Sequence, residues 1–398
     1  MIIGPQKKVI SLSDVLTERR SRVEVKPDVS YPIAGVYGFG RGMLLRKAVR
    51  GSEISAKHLF RISAGQIIYS KLKAFEGAFA LVSDAADGRF VSNEFPTFDV
   101  NQDLALPSFV ALFLGSPKTW KSLQEWITGV GARRERLNPK DFLDSEIALP
   151  TLEEQQRIVG MVETIETGLD RARQLRENAY SFLLALREAL LVQNGDWACP
   201  EGWTVVTVDE LCDVSLGFTK GRKLAGPTQM LPYLRAINVQ DGFITLKDVA
   251  EIEASSADLN RFALRRNDVL LLEGGNLEHV GRAWIWDGSI TPCLHQNSTI
   301  RARVRDRSIC DPRFLAWALG ASPARDFCLD EAAATSNVAH LGLAGARAIP
   351  VPLPPLDVQQ RIIHDLDQVR RQLVHADRKA ARYEEMRAHL IDALISDS

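Results

Sequence analysis

Two long stretches of the chain repeat apolar residues with a period close to 3.5. In the first, Ile158, Val162, Ile165, Leu169, Ala172, Ala179, Leu183, Leu186 and Leu190 follow alternating steps of four and three, with Arg176 interrupting. In the second, Ile362, Leu366, Val369, Leu373, Ala376, Ala380, Tyr383, Leu390 and Leu394 do the same, with Arg387 interrupting. A globular surface helix drifts towards 3.6, whereas a 3.5 period held over several heptads is the seam of a coiled coil. Each stretch predicts a helix about 60 Å long at 1.5 Å per residue. A single stripe would equally fit packing on its own domain. Two stripes in matching register favour helices that pack on each other, and antiparallel pairing would set the flanking regions at opposite ends with approximate two-fold symmetry.

The stripes belong to a longer repeat, which fixes the architecture before any motif is weighed. Leu149-Pro150-Thr151-Leu152-Glu153-Glu154-Gln155-Gln156-Arg157-Ile158-Val159 returns 204 residues later as Leu353-Pro354-Pro355-Leu356-Asp357-Val358-Gln359-Gln360-Arg361-Ile362-Ile363. Upstream the match is weaker, with Leu137 against Leu341 and Ile147 against Val351 in step and Phe109 against Phe314 shifted by one residue. The chain reads as a tandem duplication, with variable regions at 1–148 and 197–352 and conserved helices at 149–196 and 353–398. In the variable regions, Gln66-Ile67-Ile68-Tyr69, Ala78-Phe79-Ala80-Leu81-Val82, Asp268-Val269-Leu270-Leu271-Leu272 and Arg282-Ala283-Trp284-Ile285-Trp286 predict strands bounded by Gly or Asp. One helix per unit is expected, around Phe109 to Leu114 and Phe314 to Leu319. Asn194-Gly195-Asp196 and Pro200-Glu201-Gly202 break the chain after the first long helix. The expected fold class is α+β: two mixed α/β domains separated by two long helices that form an antiparallel coiled coil, in a pseudo-two-fold tandem repeat.

Composition narrows the class. The 398 residues allow two or three domains. With 45% hydrophobic and 25% charged residues the chain is ordinary globular material, and no apolar run reaches the roughly 18 residues of a membrane span. No secretory signal is read at Met1, so the expected location is the cytoplasm. Cys199, Cys212, Cys293, Cys310 and Cys328 contain no CxxC pair, which fits neither a disulfide framework nor a zinc site. The net charge is −1, yet residues 1–148 carry 21 Lys plus Arg against 16 Asp plus Glu, and the other three segments lean acidic. A polyanion binder needs cations on one face rather than an overall excess, so this balance permits DNA binding without arguing for it.

Catalytic patterns are missing. Gly217-Phe218-Thr219-Lys220-Gly221-Arg222-Lys223 lacks the spacing of a phosphate loop, and Gly38-Phe39-Gly40-Arg41-Gly42 is only half a dinucleotide fingerprint. There is no nucleophile elbow, no metal spacing around His279 or His295, and no Asn/Asp-Pro-Pro-Tyr/Phe string. The chain reads as non-catalytic, binding no metal and no cofactor of its own. What remains is polar loop chemistry suited to grooves. Arg41, Arg46, Lys47 and Arg50 follow a Gly-rich loop, Lys71 and Lys73 follow a strand, and Arg133, Arg134 and Arg136 sit beside Gly131. In the second unit Lys220, Arg222 and Lys223 follow Gly217, while Asn276, His279, His295, Gln296 and Asn297 flank strands. Arg and Lys hold phosphates or guanine acceptors, and Asn and Gln pair with adenine. Any one such cluster is more often solvated surface, so recurrence in both repeats carries the reading.

These residues resemble a known family, the DNA-specificity subunit of type I restriction-modification systems, over nearly the whole chain. The most specific marks are the two Leu-Pro-x-Leu-x-x-Gln-Gln-Arg-Ile motifs. Others are Pro200-Glu201-Gly202-Trp203, Val208-Asp209-Glu210-Leu211, Pro232-Tyr233-Leu234-Arg235-Ala236-Ile237-Asn238-Val239-Gln240-Asp241-Gly242, Asn267-Asp268-Val269-Leu270 and His295-Gln296-Asn297. Gly65-Gln66-Ile67-Ile68 and Val91-Ser92-Asn93-Glu94-Phe95 look like a divergent branch of the same domain, and the opening at Val9 lacks the Gly-Trp pair. The resemblance implies two target-recognition domains, each reading half of a bipartite, asymmetric site on double-stranded DNA. It implies helices that set the spacer and dock adenine methyltransferase subunits, through Gln155, Gln156, Arg157, Ile158 and Leu169 and their counterparts Gln359, Gln360, Arg361, Ile362 and Leu373. S-adenosylmethionine is expected on the methyltransferase and ATP on restriction endonuclease subunits. The rival expectations are a coiled-coil scaffold for proteins, without salt-sensitive DNA affinity, and a DNA reader without modification partners.

Overall fold

The structure is a computed structural model that describes residues 8–123, 136–224, 226–274, 279–335 and 340–396. Packing divides the chain into two compact units: Met1–Arg173 with Asp377–Ser398, and Gln174–Ala376. Each copy of the repeat contributes a short helix and a long one, α1 (Pro107–Leu114) and α2 (Leu152–Leu191) in the first, α3 (Pro312–Gly320) and α4 (Leu356–Ser396) in the second. Both unit boundaries fall inside long helices, so each unit holds one variable region and half of α2 and of α4.

In the first unit a four-stranded antiparallel sheet runs in the order Leu16–Glu18, Thr97–Val100, Ile67–Tyr69, Phe79–Leu81. The Ile67-Ile68-Tyr69 strand is buried on both faces, which accounts for its unbroken apolar run. Tyr69 stands at the centre of an aromatic cluster, with ring centroids 5.3 Å from Phe79, 5.9 Å from Phe98 and 4.8 Å from Phe142. Its hydroxyl donates to the Leu137 carbonyl at 3.0 Å, and burial pushes its phenol far up. A five-stranded sheet adjoins it, containing β1 (Ser30–Val36) and, at its edge, β2 (Met43–Arg50).

The second unit repeats the four-stranded sheet strand for strand: Cys212–Ser215, Thr299–Val304, Val269–Leu272, Ala283–Ile285. Its companion sheet has three strands around β3 (Thr228–Leu234), which pairs in parallel with Leu294–His295 much as β1 pairs with Phe90. Here the core is built on Trp284 and Trp317, edge to face at 4.5 Å, with α3 buried at every position except Arg313. The agreement extends to polar contacts on the sheet. Gln66, just before the central strand, donates to Asp99 at 2.8 Å; Asp268, at the same place in the second unit, accepts two bonds from Arg303 at 2.6 and 2.7 Å. The position is kept while donor and acceptor trade sides.

The expected antiparallel pairing is present within the units. In the first, Glu166 on α2 accepts from Arg387 on α4 at 3.1 Å and Glu384 accepts from Arg173 at 3.0 Å, the numbering rising on one helix as it falls on the other. In the second, Leu183 packs in one core with Leu366 and Leu373. Arg387, which interrupts the second stripe, is thereby explained by its partner, while Arg176 lies exposed. The break after α2 is a tight hairpin in which Val192–Gln193 pairs with Asp196–Trp197. Asn194 and Gly195 both take positive φ at its turn, as that hairpin geometry demands.

Candidate nucleic-acid interface

The repeated Gln-Gln-Arg divides its roles between interior and surface. Gln155 is fully buried; its Nε2 donates to the carbonyls of Pro150 (2.9 Å) and Leu104 (3.0 Å), and its Oε1 accepts the Leu106 N–H (2.8 Å) at the entrance to α1. Gln359, also fully buried, donates to Pro354 (2.9 Å) and Ile309 (2.8 Å) and accepts from Asp311 N–H (2.8 Å) at the entrance to α3. Each glutamine thus latches a long helix to the variable region of its own unit and has no surface left for a partner. Ile158, Ile362, Leu169 and Leu373 are likewise buried. Gln156, Arg157, Gln360 and Arg361 are exposed, the arginines paired with Glu154 and Asp357 one turn away.

In the first unit Arg46, Lys47 and Arg50 lie exposed along β2, the edge strand of its sheet, which a row of cations shields from pairing with another chain. Arg41 sits over the Tyr37 ring at 5.0 Å, and Lys73 pairs with Glu76 at 2.9 Å. Lys71 and Arg136 come together at Glu94: the Leu137 N–H donates to the Lys71 carbonyl, the Lys71 N–H to the Glu94 carbonyl, and the Arg136 guanidinium lies 3.4 Å from the Glu94 carboxylate. Burial, then the neighbouring Arg20, lowers the Lys71 ammonium, which Glu94 and Glu18 only partly offset. Arg20 completes the group, donating to Asn93 Oδ1 at 2.7 Å and lying 4.2 Å over the Phe60 ring. No spacing in the sequence singles out Arg20, although the Asn93-Glu94 pair it faces belongs to the Val91-Ser92-Asn93-Glu94-Phe95 string. Arg133 and Arg134 lie outside the described residues, as does Asn276.

In the second unit Lys220 and Lys223 are exposed, but Arg222 is held in place. It pairs at 3.2 Å with the buried Asp258 and lies 5.6 Å over the rings of Phe218 and Phe262. Burial would raise the Asp258 carboxyl; the Ser255 hydroxyl and N–H, with Arg222, hold it below its ordinary value instead. His279 is exposed. The Gln296 side chain accepts the Ala236 N–H at 3.3 Å. His295, grouped by sequence with the groove-facing polar residues, is instead fully buried, its Nδ1 2.8 Å from the Thr299 carbonyl, because it ends the strand paired with β3 at the centre of the unit. Burial pulls its imidazole down to about 4.

Four cysteines are buried, their thiols pushed up to about 12 by burial, and Cys199 is exposed. Among the described residues no cluster of His, Cys, Asp and Glu is suited to a metal ion, and no helix is long and apolar enough to cross a membrane. One feature invisible in sequence is a cavity of about 370 Å³ lined by Arg266, Asn267, Arg307, Asp311, Pro312 and Arg313, three guanidinium groups that chain order keeps apart.

No family model matches the chain. A specificity subunit of the type I restriction enzyme HindI from Haemophilus influenzae is 24% identical over 135 residues, 33% of this chain. The match spans 28% of that relative's length. Solved structures agree along the whole length. A chain from a type I R-M system, described for its complex assembly and conformational transition, superposes with a TM-score of 0.60 at 20% identity, covering 99% of this chain and 98% of that one. The type I restriction-modification S subunit from M. genitalium gives a TM-score of 0.54 at 15% identity, covering 99% and 97%. The resemblance carried by the two Leu-Pro-x-Leu-x-x-Gln-Gln-Arg-Ile motifs therefore extends to the architecture, and the chain has the fold of the type I restriction-modification specificity subunit.

Proposed function

We propose that this chain is the sequence-specific DNA-binding subunit of a type I restriction-modification complex. The observation that carries the reading is the duplication itself, which persists down to hydrogen bonds: two variable regions built on the same four-stranded sheet, each latched by a buried glutamine to its own long helix. Two half-site readers at a fixed separation select sites by spacing and helical phase. In this reading each unit recognises one half of a bipartite, asymmetric site, and the paired helices set the spacer. Exposed positions on those helices dock two adenine methyltransferase subunits, and restriction subunits join that core. Base flipping and methyl transfer from S-adenosylmethionine belong to the methyltransferase, ATP hydrolysis to the restriction subunit, and this chain supplies the address.

The test is co-expression with the products of the neighbouring genes, followed by single-molecule mapping of methylated adenines on host DNA. A bipartite motif with a constant spacer is expected. Scattered or absent methylation, together with duplex affinity that does not fall with salt, would instead match a protein scaffold.

A further inference from the structure

Exposed apolar side chains are ordinary when scattered and mobile; two of the most exposed here are braced, and they follow the same strand in the two units. β1 runs into Phe39, three residues past Val36 and 63% exposed; β3 runs into Ile237, three residues past Leu234 and 62% exposed. Phe39 holds a φ of 61°, which side-chain-bearing residues seldom adopt. Its N–H donates to the Glu76 carbonyl at 2.6 Å and that of Gly40 to the Gly77 carbonyl at 3.0 Å. The Trp120 ring supports the Phe39 ring edge-on at 6.3 Å and fits only because residue 77 is glycine, where a Cβ would meet it at 2.1 Å. Ile237 is the middle residue of a single 3-10 turn, Ala236–Asn238. Gln296 accepts the Ala236 N–H, Gln240 donates to the Ile237 carbonyl, and the fully buried Asn238 side chain ties the turn to Arg235, Thr245 and Lys247.

Each tip has a guanidinium beside it: Arg41 donates to the Gly38 carbonyl next to Phe39, and Arg282 donates to Gln240, whose own amide holds the Ile237 carbonyl. A stiff apolar tip with a guanidinium beside it suits a polyanion with an apolar interior, since a phosphate takes the cation and a base step takes the tip. We propose that Phe39 and Ile237 are wedges, one per unit, that enter the stack of duplex DNA and unstack a single base step in each half-site. This rests on the DNA-reading role proposed for the chain.

The test uses the full chain and duplexes that it selects from a pool with a randomised centre, resynthesised with 2-aminopurine at successive positions. Wild type is expected to raise the fluorescence several-fold at one step in each half-site. Phe39→Ala should abolish the rise in one half-site and Ile237→Ala in the other, both with an unchanged salt slope, while Phe39→Leu keeps most of it. Binding without unstacking, or a rise that survives both alanine variants, overturns the proposal. So do variants that keep the rise yet lose capture by the methyltransferase subunit, which would make the tips protein contacts. If wild type selects no duplex, the DNA-reading role fails first and the wedges fall with it.

Discussion

Tyr383 on α4 lays its ring against the bare Cα of Gly168 on α2, so closely that a Cβ there would lie 2.5 Å from the Tyr383 Cζ. Glycine costs an exposed helix about 1 kcal/mol relative to alanine, so Gly168→Ala would stabilise an isolated α2. In the paired helices the clash should win, with a net loss of about 1–2 kcal/mol for the first unit. Urea unfolding checks the sign, and adding Tyr383→Ala should recover much of the loss, a coupling that independent sites would not show.

The glutamine latches make a second prediction. Gln155→Leu or Gln359→Leu leaves one N–H and two carbonyls without their partners inside the protein, at a cost of about 2–5 kcal/mol for either variant. Limited proteolysis should show the damage confined to the unit carrying the change. Equal loss of protection in both units would contradict separate latches.

The repeat, the coiled-coil seam and the strands at Ile67, Phe79, Val269 and Ala283 were legible because each leaves a periodic or bounded apolar trace. The period also marks which glutamine of each Gln-Gln-Arg string turns inward, since a step of three back from Ile158 and Ile362 lands on Gln155 and Gln359, while a polar side chain at a seam position gives no sign of what it bonds. His295 reads as a groove-facing polar residue because no period marks it as interior: only the fold seals a core around it, just as only the fold sets Asp258 and two rings against the exposed Arg222.

His295 gives the second unit an acid-sensitive core. Its folded imidazole is lowered to about 4 from an ordinary 6.5, so between those values the unfolded chain binds a proton that the native chain refuses. Stability from this group is intact above pH 6.5 and is lost as pH falls towards 4, by a few kcal/mol at most. His295→Leu should cost some stability at pH 7 and flatten the dependence across that window, measured by thermal unfolding at half-unit intervals.

Lys71 and Arg136 share one carboxylate and leave a positive excess with Arg20. Replacing both with Ala should weaken duplex binding almost equally for all sequences and reduce the salt slope by about one for each phosphate no longer neutralised. An unchanged slope would remove this cluster from the interface.

Under the proposed function, docking through the helices would use side chains exposed on them. Phe182 on α2 is 59% exposed, so Phe182→Asp should leave the melting temperature within a few degrees while depleting co-purified methyltransferase. Leu169→Asp, by contrast, acts on a buried seam position and should lower stability first.

Every group that Gln155 and Gln359 grip in the variable regions belongs to the main chain: carbonyls at Leu104 and Ile309, N–H groups at Leu106 and Asp311. A clasp that reads only backbone is indifferent to side-chain identity. A foreign variable region could satisfy both clasps with any side chains, provided its peptide groups followed the same path and its own apolar residues covered Ile158 or Ile362 as Phe109 and Phe314 do. At these two points the long helices are indifferent to sequence in the regions they hold, and sensitive only to its backbone path.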